Sequence, residues 1–408
     1  MGEMLKKVEA VFVSVSIVLI VLGFVSVYLM HFPLPIPIKL PIEPFEPAEG
    51  IPWRLLVALY VFFVVSTTGL CIVASLGEVF GFKKLEPIVK EGLLMALVTI
   101  LVDLVTVGLE IEQVTRGYFV LAGHANPMSM MYRMIMLYVL YVVFLLVEMW
   151  LYFRDDLLKQ REERGLRGLV ARILTTPKLT ETKDLTKVVG FLTVFTAIIA
   201  HSNLGALFGV NYISFWHGPF LPIYFILSAV VSGAALTIIG AYIADYFRGI
   251  KIEGERYEAF QMLRIILGFT IVVTMLFTAW KFIVKAYPTS TLMSRESVEV
   301  FVHGNFAFNF WILEVLIGLV VPLILLTLPH TGRKVEWIFL ASLFTIVGIF
   351  FLRIDLVMGG LALKHITGMN FPSPVYHPFE VFGTVGFLSL AAFLYYIGYK
   401  LLPMEVKK

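Results

Sequence analysis

Ten stretches of this chain are apolar, uninterrupted and about as long as a lipid bilayer is thick. They run over roughly 8–30, 54–76, 92–112, 131–153, 187–209, 219–243, 262–286, 305–328, 335–357 and 378–402. About 20 such residues in a helix cross the hydrocarbon of a membrane. Lipid offers no partner to a backbone N–H or C=O, and a helix satisfies both internally. The runs are continuous rather than alternating, which argues against a transmembrane barrel. They occupy more than half of the 408 residues and leave no room for a soluble catalytic domain. Composition agrees: 59% of residues are apolar and 15% charged, against about 45–50% and 25% in soluble domains. The expected fold is an all-α integral membrane protein of about ten transmembrane helices in two packed bundles. The first bundle would cover 1–209, including a loop at 154–186, and the second 210–408. The first run follows Lys6 and Lys7 as a signal peptide would. Tyr28, Met30 and His31 at its end make a poor cleavage site, so it is expected to remain as a span.

Lysine and arginine alternate with the connections. Lys6 and Lys7 precede the first span, Lys83, Lys84 and Lys90 lie in the second connection, and the fourth holds nine basic residues from Arg154 to Lys187. Arg248, Lys251 and Arg256 fall in the sixth, Arg333 and Lys334 in the eighth, and Lys407 and Lys408 at the end. The odd connections hold few. The positive-inside rule then places both termini in the cytoplasm and the odd connections outside.

That topology makes the polar residues one-sided. His31, His124, His201, His217, His303, His365 and His377 all fall at the outer level, and His330 alone at the inner. Glu110, Glu112, Asn126, Asn203, Asn305, Asn309, Arg353, Asp355 and Glu380 gather with them. Asp103, Glu148 and Glu314 lie deeper within spans. Ionisable groups in a bilayer are costly and suggest function, although a helix–helix hydrogen bond or a wet rim also explains individual cases. The pattern predicts a polar site just under the outer surface, with Asp103 and Glu148 at depths that could extend it inward.

Net charge is only +3, so nothing recruits nucleic acid. The single cysteine, Cys71, excludes an internal disulfide, a thiolate zinc site and an intrinsic iron–sulfur cluster. No C-x-x-C-H occurs, and of the histidines only His201 is well inside a span, so no intrinsic haem is expected. The Phe32–Pro37 segment, with alternating prolines, reads as a stiff extended outer connection. Thr67-Thr68-Gly69 and the Ser228–Ala235 stretch read as close-packing surfaces between helices. The 154–186 connection reads as a solvated or headgroup-contacting loop, helical at first.

Several motifs together resemble a known family. Asn126-Pro127-x-Ser129, followed by Leu137-Tyr138 and ending near Glu148, looks like the fourth span of NrfD-like membrane subunits. His201-Ser202-Asn203-Leu204-Gly205-Ala206-Leu207 is similar to the H-Q-S-S-L-G-x-L segment of the ten-span branch, which includes HybB-type and DsrP-type subunits. Trp216-His217-Gly218-Pro219-Phe220-Leu221-Pro222, with Phe225 to Ala229 after it, fits the P-L-W-x-S-P-L-x-P and F-x-x-S-A pattern. Trp311, Glu314, Gly318 and Pro322 fit W-x-x-E-x-x-x-G-x-x-x-P, and Tyr376-His377-Pro378-x-Glu380 also matches. The usual D-L-G-R-P after the third span is absent; Glu112-Gln113-Val114-Thr115-Arg116 stands there instead.

The resemblance implies a quinone-handling membrane subunit without a redox metal, here with menaquinone. Its implied partners are c-type and b-type cytochrome subunits, a heterodisulfide-reductase-like subunit and an extracytoplasmic four-cluster ferredoxin-like iron–sulfur subunit. The closest branch implied is the DsrP type of a sulfite-reduction-linked DsrMKJOP complex; the alternative is a HybB-type hydrogenase subunit. A quinone site needs an apolar slot, donors for two carbonyl oxygens and a proton exchanger. Histidine suits the last role. His201 is the expected quinone-oxygen partner, with Glu112, Arg116, His124 and Asn126 around the site. Asp103, Glu110, Glu148 and Glu314 are the expected proton carriers, and Arg353 and Asp355 would pair to form a wall. A ten-span transporter, a proton-translocating module without quinone and an inert anchor are the rival readings. Against the first stand a shallow polar cluster and no evident repeat.

Overall fold

The computed structural model describes residues 2–31, 53–110, 118–123, 126–176, 183–362 and 376–404, and the described residues form helices without strands. Among the described residues, ten helices are long and apolar enough to cross a membrane. They are α1 (Lys6–Met30), α2 (Leu55–Glu78), α3 (Lys83–Glu110), α4 (Met130–Gln160), α5 (Lys183–Gly209), α6 (Phe220–Arg248), α7 (Gly254–Ala286), α8 (Asn309–Thr327), α9 (Val335–Gly359) and α10 (Pro378–Leu401). Each agrees with one apolar run. The Phe32–Pro37 segment lies outside the described residues.

α2 is the axis of the molecule. Nearly all its side chains are buried, and it packs on α3, α5, α6, α9 and α10. α1 lies at the edge and pairs mainly with α10. Its outward residues, such as Val11, Val18 and Val21, are exposed as a lipid-facing surface requires. α4 packs along α5, and α8 along α9. α3 and α4 barely touch each other, although consecutive in the chain.

Glycines set the closest crossings. A Cβ added at Gly69 would fall 1.6 Å from the Ala229 carbonyl oxygen, and one at Gly233 2.0 Å from the Gly69 carbonyl carbon. The backbones of α2 and α6 are therefore in contact at the two stretches read as packing surfaces. Without a hydrophobic force between helices in lipid, such van der Waals contact holds a bundle together. Gly23 with Gly386 does the same for α1 and α10, and Gly318 with Gly348 for α8 and α9.

The even connections and both chain ends meet at one end of the bundle, here called the basic end. Lys90 reaches Asp156 at 2.8 Å and the Pro403 carbonyl at 2.7 Å; Arg248 donates to the Met404 carbonyl, Gln160 to Leu401 and Arg167 to Lys400. Glu9 pairs with Lys400. The Arg256 guanidinium is buried there, 2.6 Å from Glu91, 2.8 Å from Asp245 and 2.5 Å from the Pro87 carbonyl. It ties α7 to α3 and α6. The described part of the 154–186 connection, residues 154–176 and 183–186, is largely helical, beginning as expected with helix. α4 continues to Gln160, and a short helix (Leu166–Leu174) returns to the bundle, where its Leu174 carbonyl accepts from Trp150 Nε1 at 2.7 Å.

Candidate functional site

His201 is fully buried about 12 Å below the far end of α5, eight residues at 1.5 Å each. Its Nδ1 lies 2.7 Å from the Ala197 carbonyl and against the Thr68 hydroxyl. A carbonyl can only accept, so Nδ1 carries the hydrogen. In the neutral ring Nε2 then holds the lone pair, and it has no hydrogen-bond partner in the protein. Tyr138 and Tyr141 of α4 place their rings 5.6 and 6.2 Å from the imidazole. The Tyr138 hydroxyl donates to Asp103 Oδ2 at 3.3 Å, while Asp103 Oδ1 is buried without a partner. Two of the expected residues, His201 and Asp103, thus converge with Tyr138, on three helices at one depth. They lie where α3, α4 and α5 meet, and Leu104 and Val105 of α3 and Val139 and Val143 of α4 are exposed.

Glu148 does not join this group. It lies ten residues further along α4, about 15 Å toward the basic end. It faces Glu78, the last residue of α2, and both carboxyl groups are sheltered. Between the two levels Tyr141 OH meets Cys71 Sγ at 3.1 Å.

A second polar group sits in α6–α9. Lys281, Glu314, Asp355, Tyr224 and Thr278 line a small cavity with Phe215, Phe282, Phe301 and Phe310. Its free space is about 10 Å³, room for one water. Lys281 Nζ lies 3.7 Å over the Phe215 ring, and Tyr224 OH meets the Thr278 hydroxyl at 2.8 Å. Glu314 lies in a π-helical stretch (Asn309–Val320), and Asp355 opens another (Asp355–Gly359). Such turns recur where a helix must re-aim side chains at a functional site. The π turn also leaves the Leu356 carbonyl to accept from buried Trp216 Nε1 at 2.6 Å, so the Trp216 motif is a structural anchor here.

Arg353 and Asp355 do not pair with each other. Two residues apart on a helix, they point to different faces. Arg353 donates to Ser228 Oγ at 2.6 Å over the Phe225 ring, while Asp355 faces the cavity. Arg353 instead sits between the two polar groups. Ser228 precedes Ala229, which touches Gly69, and Gly69 follows Thr68, which holds His201.

The far rim holds the rest. Glu110 is half-buried near Arg54 and Glu380. Partial burial pushes the Arg54 guanidinium down to about 10, with Glu380 and then Glu110 opposing the shift. Burial, then Arg54, lowers the His377 imidazole below its usual range. Asn126 is exposed and accepts from the Met128 N–H at 2.9 Å. Glu112, Arg116 and His124 lie outside the described residues. Tyr141, Glu78, Lys281 and Tyr224 are absent from the residues expected on sequence, Tyr138 stands there only within a family motif, and Thr68 only as a packing residue. A lone charge in an apolar run is the available signal for Glu78 and Lys281.

Residues 44–364 match the polysulphide reductase NrfD family. The chain belongs to that family. Similar curated proteins span nearly its whole length. The C subunit of the selenate reductase of Mesobacillus selenatarsenatis is 25% identical over 378 residues, 87% of each chain. The Hdr-like menaquinol oxidoreductase integral membrane subunit of Archaeoglobus fulgidus is 22% identical, covering 88% of this chain and 86% of its own. A protein of Halobacterium salinarum, described as the putative membrane C subunit of a dimethyl sulfoxide reductase, is 28% identical, covering 86% and 83%. This NrfD-family chain is accordingly a multi-pass membrane subunit of an oxidoreductase complex.

Proposed function

We propose that this subunit is where menaquinol or menaquinone exchanges electrons with an extracytoplasmic four-cluster iron–sulfur subunit docked on the far end. The basic end then faces the cytoplasm, as the positive-inside rule requires. The setting is a DsrMKJOP-type complex linked to sulfite reduction, with c-type and b-type cytochrome subunits and a heterodisulfide-reductase-like subunit. Likeness to the Archaeoglobus menaquinol oxidoreductase subunit supports the choice of quinone.

The observation that carries the reading is the convergence of His201, Asp103 and Tyr138 where α3, α4 and α5 meet. An isoprenoid quinone is lipid-soluble and approaches from the bilayer, toward which α3 and α4 present exposed apolar residues. The unpartnered His201 Nε2 and Asp103 Oδ1 fit a ring that brings its own polar oxygens. When bound, the quinol supplies two electrons and two protons. His201 Nε2 holds the oxygen and accepts a proton, and Tyr138 passes protons to Asp103. Thr68 and the Ala197 carbonyl fix the imidazole so that Nε2 faces the site. Glu110 is the proton group nearest the rim.

His201→Ala tests the reading in the purified native complex. Menaquinol-analogue turnover should be lost while every subunit remains assembled on a native gel. Turnover equal to wild type would remove His201 from the site.

A further inference from the structure

The polar residues of α2 and α4 form pairs at a fixed offset. Cys71 meets Tyr141, and Glu78 faces Glu148; in both cases the partners are 70 positions apart. The two helices run in the same direction, so the pairs repeat every seven residues along one seam, about 10.5 Å apart. Above them on the same seam stand His201, Thr68, Tyr138 and Asp103. The Thr193 hydroxyl and Gly190 of α5 flank Glu148 from the third side; a Cβ at Gly190 would come 3.1 Å from Glu148 Oε1. Glu148 is 2% exposed, and its Oε2 makes no hydrogen bond of good geometry. The same holds for both oxygens of Glu78, which closes α2 at the basic end. Buried polar atoms without protein partners are normally met by water.

From these contacts we propose that the seam is a proton route, running from Asp103 and Tyr138 through His201, Tyr141 and Cys71 to a carboxyl pair, Glu148 and Glu78, that opens at the basic end. It rests on the quinone reading above and deepens it. Protons exchanged at the far-side site travel to or from the opposite membrane face, so turnover moves charge across the bilayer. Each transfer takes one proton from a neighbouring hydroxyl, thiol, imidazole or carboxyl group and delivers one to the next. No group on the seam is oxidised or reduced. Two facing carboxyl groups suit the mouth, because they hold one proton between them more readily than two negative charges. Water bridges the interval between the Cys71–Tyr141 and Glu78–Glu148 levels. The seam is separate from the Lys281 cavity, which lies in other helices near the far end.

The test uses the native complex in sealed liposomes, with a membrane-potential dye and a menaquinol analogue as the electron source. Glu148→Gln and Glu78→Gln should each slow turnover about a hundredfold, within the range for loss of a positioned proton carrier. They should also abolish the potential and raise the solvent isotope effect, while bound quinone content stays at the wild-type level. Glu148→Asp, which keeps the carboxyl group, should restore part of the turnover. A merely structural role would lower assembly or quinone content and leave the isotope effect unchanged, which would overturn the proposal. Wild-type turnover and potential in both Gln variants would also overturn the route while leaving the quinone reading intact. Failure of the wild-type complex to oxidise the quinol would remove the quinone reading itself, and the route with it.

Discussion

Gly69→Ala probes how packing sets the site. The new Cβ would fall 1.6 Å from the Ala229 carbonyl oxygen, 2.4 Å from its carbon and 3.0 Å from the Gly233 nitrogen. To regain the 3.0 Å that real Cβ contacts keep, α2 and α6 must part by about 1.4 Å, the 3.0 less the 1.6. The obstacle is backbone, which cannot rotate away as a side chain can. Overpacking of this kind costs about 1–3 kcal/mol, and a backbone clash belongs at the upper end. The displacement falls between Thr68 and Ser228, so it moves the partner of His201 and the partner of Arg353 together. A shift of roughly 1 Å in site geometry can cost about a hundredfold in rate. Gly108→Ala is the control, because nothing lies within 4 Å of its added Cβ. In a helix that change should stabilise by about 0.5–1 kcal/mol. The assay is thermal unfolding of the detergent-solubilised complex, alongside quinol turnover. Gly69→Ala should lower both against wild type, and Gly108→Ala neither. Equal behaviour of the two variants would refute the argument that backbone contact at this crossing positions the site.

Further outcomes follow from the buried charges. Arg256→Met leaves Glu91 and Asp245 facing each other without their cation, at a cost of about 3–5 kcal/mol. Adding Glu91→Gln and Asp245→Asn should recover most of the thermal stability, and a triple variant no better than the single would contradict the account of the triad. Lys281→Met leaves Glu314 and Asp355 in the cavity without the ammonium group. Combined with Glu314→Gln it should show a stabilising coupling of about 0.5–3 kcal/mol in a double-mutant cycle, and strict additivity would separate the two residues.

The spans were legible because each is a continuous apolar run, and lipid permits little but a helix there. The even connections were legible as one end because basic residues mark them, and the contacts of Lys90, Arg248 and Arg167 bring them together. Counting residues set His201 at the outer level and Asp103 deeper, whereas the structure brings both to Tyr138 at one depth. Which way each helix faces does not follow from such counting. A span that is apolar all round carries little amphipathic signal, so the direction of a lone polar residue depends on its neighbours. Arg353 and Asp355 show the consequence: close in sequence, they serve different groups. The Gly69–Gly233 contact needed two distant glycines to be matched across helices. A lysine near a helix terminus, such as Lys281, ordinarily snorkels to the surface. Here it turns inward over Phe215.

The most direct test of the central claim is photolabelling of the purified complex with a photoactivatable menaquinone analogue, followed by peptide mapping. The label should attach to peptides carrying Asp103, Tyr138 or His201 and be competed away by unlabelled menaquinone. Competable label confined to α7–α9 would place the quinone at the Lys281 cavity and contradict the account; absence of any competable label would contradict a quinone site in this subunit.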